Sequence, residues 1–180
     1  MQSNTALSLP VLGALWPEQG GHFAGVTRDA AGNTFAVIVS PKVVEFKALA
    51  WGPYGKDVPG CSHFTDGLAN TQALLAAKTE HPAAKACSSI EHEGHADWYL
   101  PSAGELQLAH MHCKDLFSTE GYYWSSTQND RDYAFVQDFE FGYSSYNTKD
   151  TQRRVRAVRR FIHLCRPGAG LHRLPTYQAQ

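Results

Sequence analysis

The sequence has almost no excess of charge of either sign. Its 180 residues carry 16 Lys and Arg against 17 Asp and Glu, a net charge of −1 with a pI near 6.7. No global field therefore draws the chain to nucleic acid or to an anionic membrane. A long hydrophobic run is also missing: the apolar stretch from Leu7 to Trp16 is broken by Pro10 and Gly13 and has no basic segment before it. It reads as neither a transmembrane helix nor a signal peptide. The expected place of synthesis is then a reducing cytoplasm, with release by assembly into a virus particle left open. Cysteine is sparse and scattered. Cys61, Cys87, Cys113 and Cys165 form no C-x-x-C and no close pair, which argues against a zinc ribbon or a thiol redox motif. Free or buried thiols are favoured over disulfides in that compartment, although four cysteines permit three pairings and their spacing selects none. Glycine-rich phosphate loops, a G-x-S-x-G elbow and internal repeats are all lacking.

Histidine is the exception, with nine copies, yet its spacing does not build a metal site. Glu91-His92-Glu93-Gly94-His95 approaches a zinc-protease helix, but that chemistry needs histidines four apart on one helical face, and these are three apart beside a glycine. His110, His112 and Cys113 fare no better, because positions i and i+2 of a helix point apart. Asp130, Asp132 and Asp138 offer carboxylates without the ligand spacing of a calcium loop. Ser125 or Ser126 with a histidine, or Cys113 with His112, carry no nucleophile signature. The expectation is a protein without catalytic residues, metal ligands or cofactor.

The size suits one domain able to bury a real core, and hydrophobic residues at 43% with aromatics at 12% fit an ordinary globule. His22 to Asp29 and Thr34 to Ser40 flank the turn material Ala30-Ala31-Gly32-Asn33, which predicts a hairpin. Val43 to Leu49 reads as a third strand, and Trp51 to Gly60, rich in glycine and proline, as a loop. Leu68, Leu74 and Leu75 among alanines predict an amphipathic helix from Asp66 to about Lys78, which Pro82 either ends or restarts as a short continuation to Cys87. Ser102-Ala103-Gly104-Glu105 is a capping box, so a second helix starts there and ends near Cys113 or Lys114. In Tyr133 to Phe141 the odd positions carry Tyr, Phe, Phe and Phe, which predicts a strand with that face inward. Arg154 to Phe161 closes the fold as a last strand with Val155, Ala157 and Val158 inward. Its arginines, with Arg153, are expected to pair with carboxylates such as Asp138 and Glu140. Hairpin, helices and then clustered strands describe an α+β domain. The expected organisation is an N-terminal β region over 1–60 packed on a core at 61–165, with an irregular extension at 166–180.

The densest local signal is Tyr122-Tyr123-Trp124-Ser125-Ser126-Thr127, followed by Asn129-Asp130-Arg131-Asp132-Tyr133 and Tyr143-Ser144-Ser145-Tyr146-Asn147. Tyrosine, serine and asparagine in this density supply rigid amphipathic contact area and adaptable hydrogen bonding, as in antibody paratopes.

Three segments in order resemble one family. They are Asp97-Trp98-Tyr99-Leu100-Pro101-Ser102-Ala103-Gly104-Glu105-Leu106, then Tyr123-Trp124-Ser125-Ser126-Thr127, then Arg154-Val155-Arg156-Ala157-Val158-Arg159-Arg160-Phe161. Together they are similar to the W-x-L-P-[ST]-x-x-E-L, Y-W-S-S-T and V-R-A-V-R signature of the Lcl-type domain, named for the C-terminal domain of the Legionella collagen-like adhesin. The resemblance implies a C-type lectin-like fold, with small twisted antiparallel sheets and two helices supporting a long, tolerant loop region. It also implies that the motif residues are framework, with Trp98 and Trp124 in the core.

The upstream segments Gly20 to Gly25 and Ala50 to Gly55 resemble phage and prophage versions of the domain. Some of these are diversified by retroelements that leave Asn, Asp, Tyr and Ser at exposed positions. The implied function is a non-catalytic adhesin of a phage tail or bacterial surface. Its ligand-binding residues would be Asn129, Asp130, Arg131, Asp132, Tyr133, Tyr143, Ser144, Ser145, Tyr146 and Asn147. The expected partners are a host receptor protein or glycan and other virion or surface subunits, with a homo-oligomer left open and neither nucleic acid nor membrane insertion involved. The alternatives are a structural baseplate or tail-tip component using its aromatic surface for assembly, and an enzyme related to the formylglycine-generating oxidases. Those enzymes need a distinct pair of active cysteines that the sequence does not supply, and fold alone does not carry function.

Overall fold

A computed structural model describes residues 9–28 and 33–162. All but Asn33 of the expected turn Ala30 to Asn33, together with Cys165 and the extension at 166–180, lie outside the described residues. Nine strands form two sheets among the described residues. The first has the order β1 (Leu15–Trp16), β2 (Gly21–Arg28), β3 (Thr34–Val39) and β9 (Val158–Ile162). The second runs β4 (Phe46–Ala50), β8 (Gln152–Val155), β5 (Tyr122–Gln128), β6 (Tyr133–Asp138) and β7 (Ser144–Thr148). Three α-helices among the described residues, α1 (Gly67–Ala76), α2 (Pro82–Ser88) and α3 (Ala103–Cys113), complete an α+β architecture. The continuation after Pro82 is thus a separate short helix, with the proline at its start where a missing N–H costs nothing.

Local chemistry explains where the helices begin. Asp66 caps α1 by accepting from the Ala69 N–H. The Ser102 hydroxyl accepts from Glu105 N while the Glu105 carboxylate accepts from Ser102 N, closing the capping box of α3. Glu105 is buried, and its other oxygen accepts from the Tyr99 hydroxyl at 2.7 Å. Gly67 lies directly against this cap: a Cβ there would sit 2.3 Å from Glu105 Oε2 and 2.5 Å from Ser102 N. Gly67→Ala should therefore cost about 1–3 kcal/mol by overpacking, measurable as a lower denaturant midpoint at unchanged slope.

The closing strand departs from expectation. Residues 152–162 form two strands in different sheets, because the chain crosses between them at Arg156-Ala157. Arg156 is fully buried and donates to the Glu45 carboxylate and to the carbonyls of Ser40 and Leu116. Val155, Ala157 and Val158 are inward as expected. Arg156 and three of the other arginines meet carboxylates, but not Asp138 or Glu140: Arg154 reaches Glu45 and Glu120, Arg159 forks onto Asp97 at 2.7 and 3.0 Å, and Arg160 meets Asp66 at 2.8 Å, while Arg153 donates to the Asn147 side-chain oxygen instead. Asp138 instead caps the turn after β6, accepting from the N–H groups of Glu140 and Phe141.

Two further expectations are corrected. Val43 and Val44 belong to a 3-10 turn rather than to a strand, and Val43 is largely exposed. In β6 the inward residues are Ala134 and Val136, since Val136 lies opposite the fully buried Trp124 and that pair fills the core. The odd residues Tyr133 and Phe135 are left half-buried on the opposite face, the turn buries Phe139, and Phe141 is 67% exposed. The pairings are antiparallel except for one parallel contact, Tyr123 with Arg154. A turn of three residues leads from β7 to β8, yet β8 pairs with β5 and β4 rather than with β7, so the sheet curls.

Candidate functional site

The Tyr123 to Thr127 segment is framework throughout. All five residues are buried. Trp124 Nε1 donates to the Leu49 carbonyl, and the Ser125 carbonyl accepts from Trp51 Nε1. Ser126 N donates to the Pro101 carbonyl, and the Thr127 hydroxyl bridges Ala103 N and the His63 carbonyl. This strand therefore locks the start of α3 and the loop before α1 to the centre of the second sheet.

Beyond it the chain turns outward. Asn129, Asp130 and Arg131 are exposed, and Asp132 and Tyr133 half-buried. The loop is ordered by its own side chains: Asp130 Oδ1 accepts from the N–H groups of Asp132 and Tyr133, each at 2.8 Å, an Asx turn. Those amides hold the Asp130 carboxyl below the usual carboxylate range. From beneath, Lys149 anchors the loop. Its side chain is buried, and its ammonium donates to the Lys56 carbonyl, Gln128 Oε1 and the Arg131 carbonyl at 2.7, 2.7 and 3.1 Å. The ammonium also stands 4.8 Å from the centre of the Trp51 ring. Burial lowers its pKa from the usual lysine range.

Strand alternation sorts the remaining predicted residues onto two faces. Phe135 lies opposite Tyr146 and Tyr133 opposite Thr148, while Ala134 faces Asn147 and Val136 faces Ser145. Tyr133, Ser144 and Tyr146 therefore share the face that carries α3, where Gln107 donates to the Ser144 hydroxyl. Ser145 and Asn147 point the other way, and Asn147 is held by Arg153 Nε. Tyr143 stands apart, tilted against Phe141 with ring centres 5.9 Å apart. The structure thus brings Tyr133 and Tyr146 into edge-to-face contact at 5.4 Å and separates them from Ser145 and Asn147.

The composition-based reading missed two members of this surface. Phe64 packs edge-on against Phe135 at 6.2 Å and is 45% exposed. Phe64, Phe135, Tyr146 and Tyr133 thereby form an aromatic strip beyond the N-terminus of α3, to which Phe64 is tied by Gly104 N donating to its carbonyl. Phe64 carries a weak signal, a lone phenylalanine between polar residues. Phe135 was obscured by its assignment to the inward face.

The thiols sit elsewhere. Cys61, Cys87 and Cys113 are free and buried, and burial pushes the Cys61 and Cys113 thiols up to about 11, which makes them poor nucleophiles at neutral pH. His92 and His95 lie opposite each other in an isolated antiparallel bridge, and His95 hydrogen-bonds the Glu18 carbonyl. No described helix is long and apolar enough to cross a membrane.

Residues 47–159, from β4 into β9, match the family described as the Lcl C-terminal domain. The chain belongs to that family. The match takes in the capped α3, the Tyr123 to Thr127 framework and the strands bearing the aromatic strip. Among solved structures, a fimbrial protein from Bacteroides ovatus ATCC 8483 is similar over 68% of this chain at 15% identity, with a TM-score of 0.44. The similar region covers 35% of the length of that protein. No curated protein matches the chain.

Proposed function

We propose that this Lcl-family domain is a non-catalytic binding module, an adhesin of a phage tail or bacterial surface, which holds a host surface protein or glycan on its aromatic strip. We read its architecture as C-type lectin-like. The observation that carries the proposal is the strip itself: Phe135, Tyr146 and Tyr133 stand partly exposed on β6 and β7, with Phe64 beside Phe135 on the loop before α1. Exposed aromatic rings held by a rigid support suit the faces of sugar rings and the hot spots of protein interfaces alike. Membership of a family named for an adhesin supports the same reading.

The Asn129 to Tyr133 loop and β7 carry the residues expected of retroelement diversification. Under this reading a reverse transcriptase and a near-identical template repeat spanning codons 124–150 lie near the gene; a neighbourhood holding neither removes the diversification element. To separate glycan from protein, labelled protein is applied to a glycan array and to protease-treated bacterial cells. Tyr133→Ala is expected to weaken binding by about tenfold or more, the effect of losing a hot-spot aromatic. Undiminished binding by that variant argues against the strip.

A further inference from the structure

Sheet edges are where chains pair with other chains, and folded proteins blunt them with charge, proline, bulges or brevity. Among the described residues, three of the four sheet edges are blunted. β1 has two residues, β4 carries Lys47 and a register irregularity between Phe46 and Leu49, and β9 carries Arg159 and Arg160. The fourth, β7, is Ser144-Ser145-Tyr146-Asn147-Thr148, with no charge, no proline and no register shift against β6.

The hydrogen-bond phase of β7 is fixed from both ends. Asp138 N donates to the Tyr143 carbonyl, and Lys149 N donates to the Asp132 carbonyl. Because bonded and non-bonded pairs alternate along an antiparallel ladder, Ser145 and Asn147 bond inward to β6. The N–H groups of Ser144, Tyr146 and Thr148 then point outward, where no described strand lies. Among the described residues the Tyr146 carbonyl meets only the Asn147 side-chain amide, and the Thr148 carbonyl takes Thr151 N in the following turn. Each carbonyl retains a second lone pair.

We infer that β7 pairs antiparallel with β7 of a second copy of this chain, about a two-fold axis through Tyr146, making one continuous sheet across the dimer. The sequence is self-complementary in that register. Ser144 faces Thr148, Ser145 faces Asn147 and Tyr146 faces itself, so no charge meets a like charge; the exposed Asp150 falls opposite Gly142. Outward groups also match, since Ser144, Tyr146 and Thr148 are the residues that would exchange backbone bonds. An isologous contact of this kind closes as a dimer and does not propagate. Both copies of Tyr146 lie on the face of the aromatic strip, so pairing joins two strips into one surface. That last step rests on the binding function proposed above; the dimer does not.

Tyr146→Pro is the direct test, because along the backbone proline removes only an outward N–H and is tolerated on an edge strand; the ring contact with Tyr133 that it also removes is controlled by the threonine variant. In sedimentation, the unaltered chain is expected to show a reversible monomer–dimer equilibrium. Tyr146→Pro should weaken it by about tenfold or more through the two lost backbone bonds while keeping the circular dichroism of the fold. Tyr146→Thr, which keeps the N–H and the strand preference, should still dimerise. Tyr146→Cys on a Cys165→Ser background should form a reducible cross-linked dimer, and Lys85→Cys, at an exposed position of α2, should not. A chain that stays monomeric, or a dimer that Tyr146→Pro leaves unchanged, overturns the inference. Receptor binding by a strictly monomeric chain would overturn the pairing and leave the binding reading standing.

Discussion

Glu45→Ala is expected to lower the stability of the fold by about 3–5 kcal/mol, the largest single effect the structure predicts, because it strands a buried guanidinium without its counter-charge. Arg156 is fully buried and both Arg156 and Arg154 bond to the Glu45 carboxylate, which also accepts from the Tyr123 hydroxyl at 2.8 Å. These residues lie where the chain crosses from one sheet to the other, so the loss acts on both. For a domain of this size, thermal unfolding should drop by roughly 10 °C. Adding Arg156→Met should recover part of the loss, since the uncompensated charge goes with it. No recovery in the double variant would mean that the carboxylate acts by packing and not by charge.

The same group sets an acid limit. Burial raises the pKa of Glu45, but hydrogen bonds and charge from Arg156, with help from Tyr123 and Arg154, outweigh it and leave the carboxyl below its ordinary value of 4.5. Asp97 is lowered in the same sense, the Arg159 fork overcoming its partial burial. The unfolded chain then binds more protons than the native one in this range. The stabilisation is complete above the ordinary carboxylate values and is lost as pH falls below them through the depressed native ones. Glu45→Ala should flatten the stability profile below about pH 4.5.

Lys149→Met is expected to cost about 2–4 kcal/mol and to loosen the Asn129 to Tyr133 loop specifically. Methionine fills the space against Trp51, but Gln128 Oε1 and the Lys56 and Arg131 carbonyls lose their shared donor. Hydrogen exchange should show faster loss of protection at the amides of Asp132 and Tyr133 while those of β5 stay slow. Ligand binding should fall with it, although Lys149 does not belong to the aromatic strip. Equal protection of loop and framework in the variant would refute the anchoring role.

What could be read from sequence was mostly local. The α3 capping box lies within four residues, the β2–β3 hairpin within one turn, and the burial of Trp98 and Trp124 follows from the family motifs. What could not be read depends on distant or main-chain partners. Glu45 meets Arg154 and Arg156 from more than a hundred residues away. Lys149 is held largely by carbonyl oxygens, which leave no side-chain signature. The inward face of β6 was misassigned because four aromatic residues outweighed alanine and valine in the pattern. Trp124 had already claimed the core on the alanine side, and the displaced rings Tyr133 and Phe135 became the surface.

A stiff framework that displays an aromatic strip for binding should tolerate loss of the rings in its fold but not in its binding. The most direct measurement takes Phe64→Ser, Tyr133→Ser and Tyr146→Ser together and records binding to a panel of bacterial strains by flow cytometry alongside thermal unfolding. Loss of binding at a nearly unchanged melting temperature is the predicted result. Undiminished binding by the folded triple variant would rule out the strip as the binding surface.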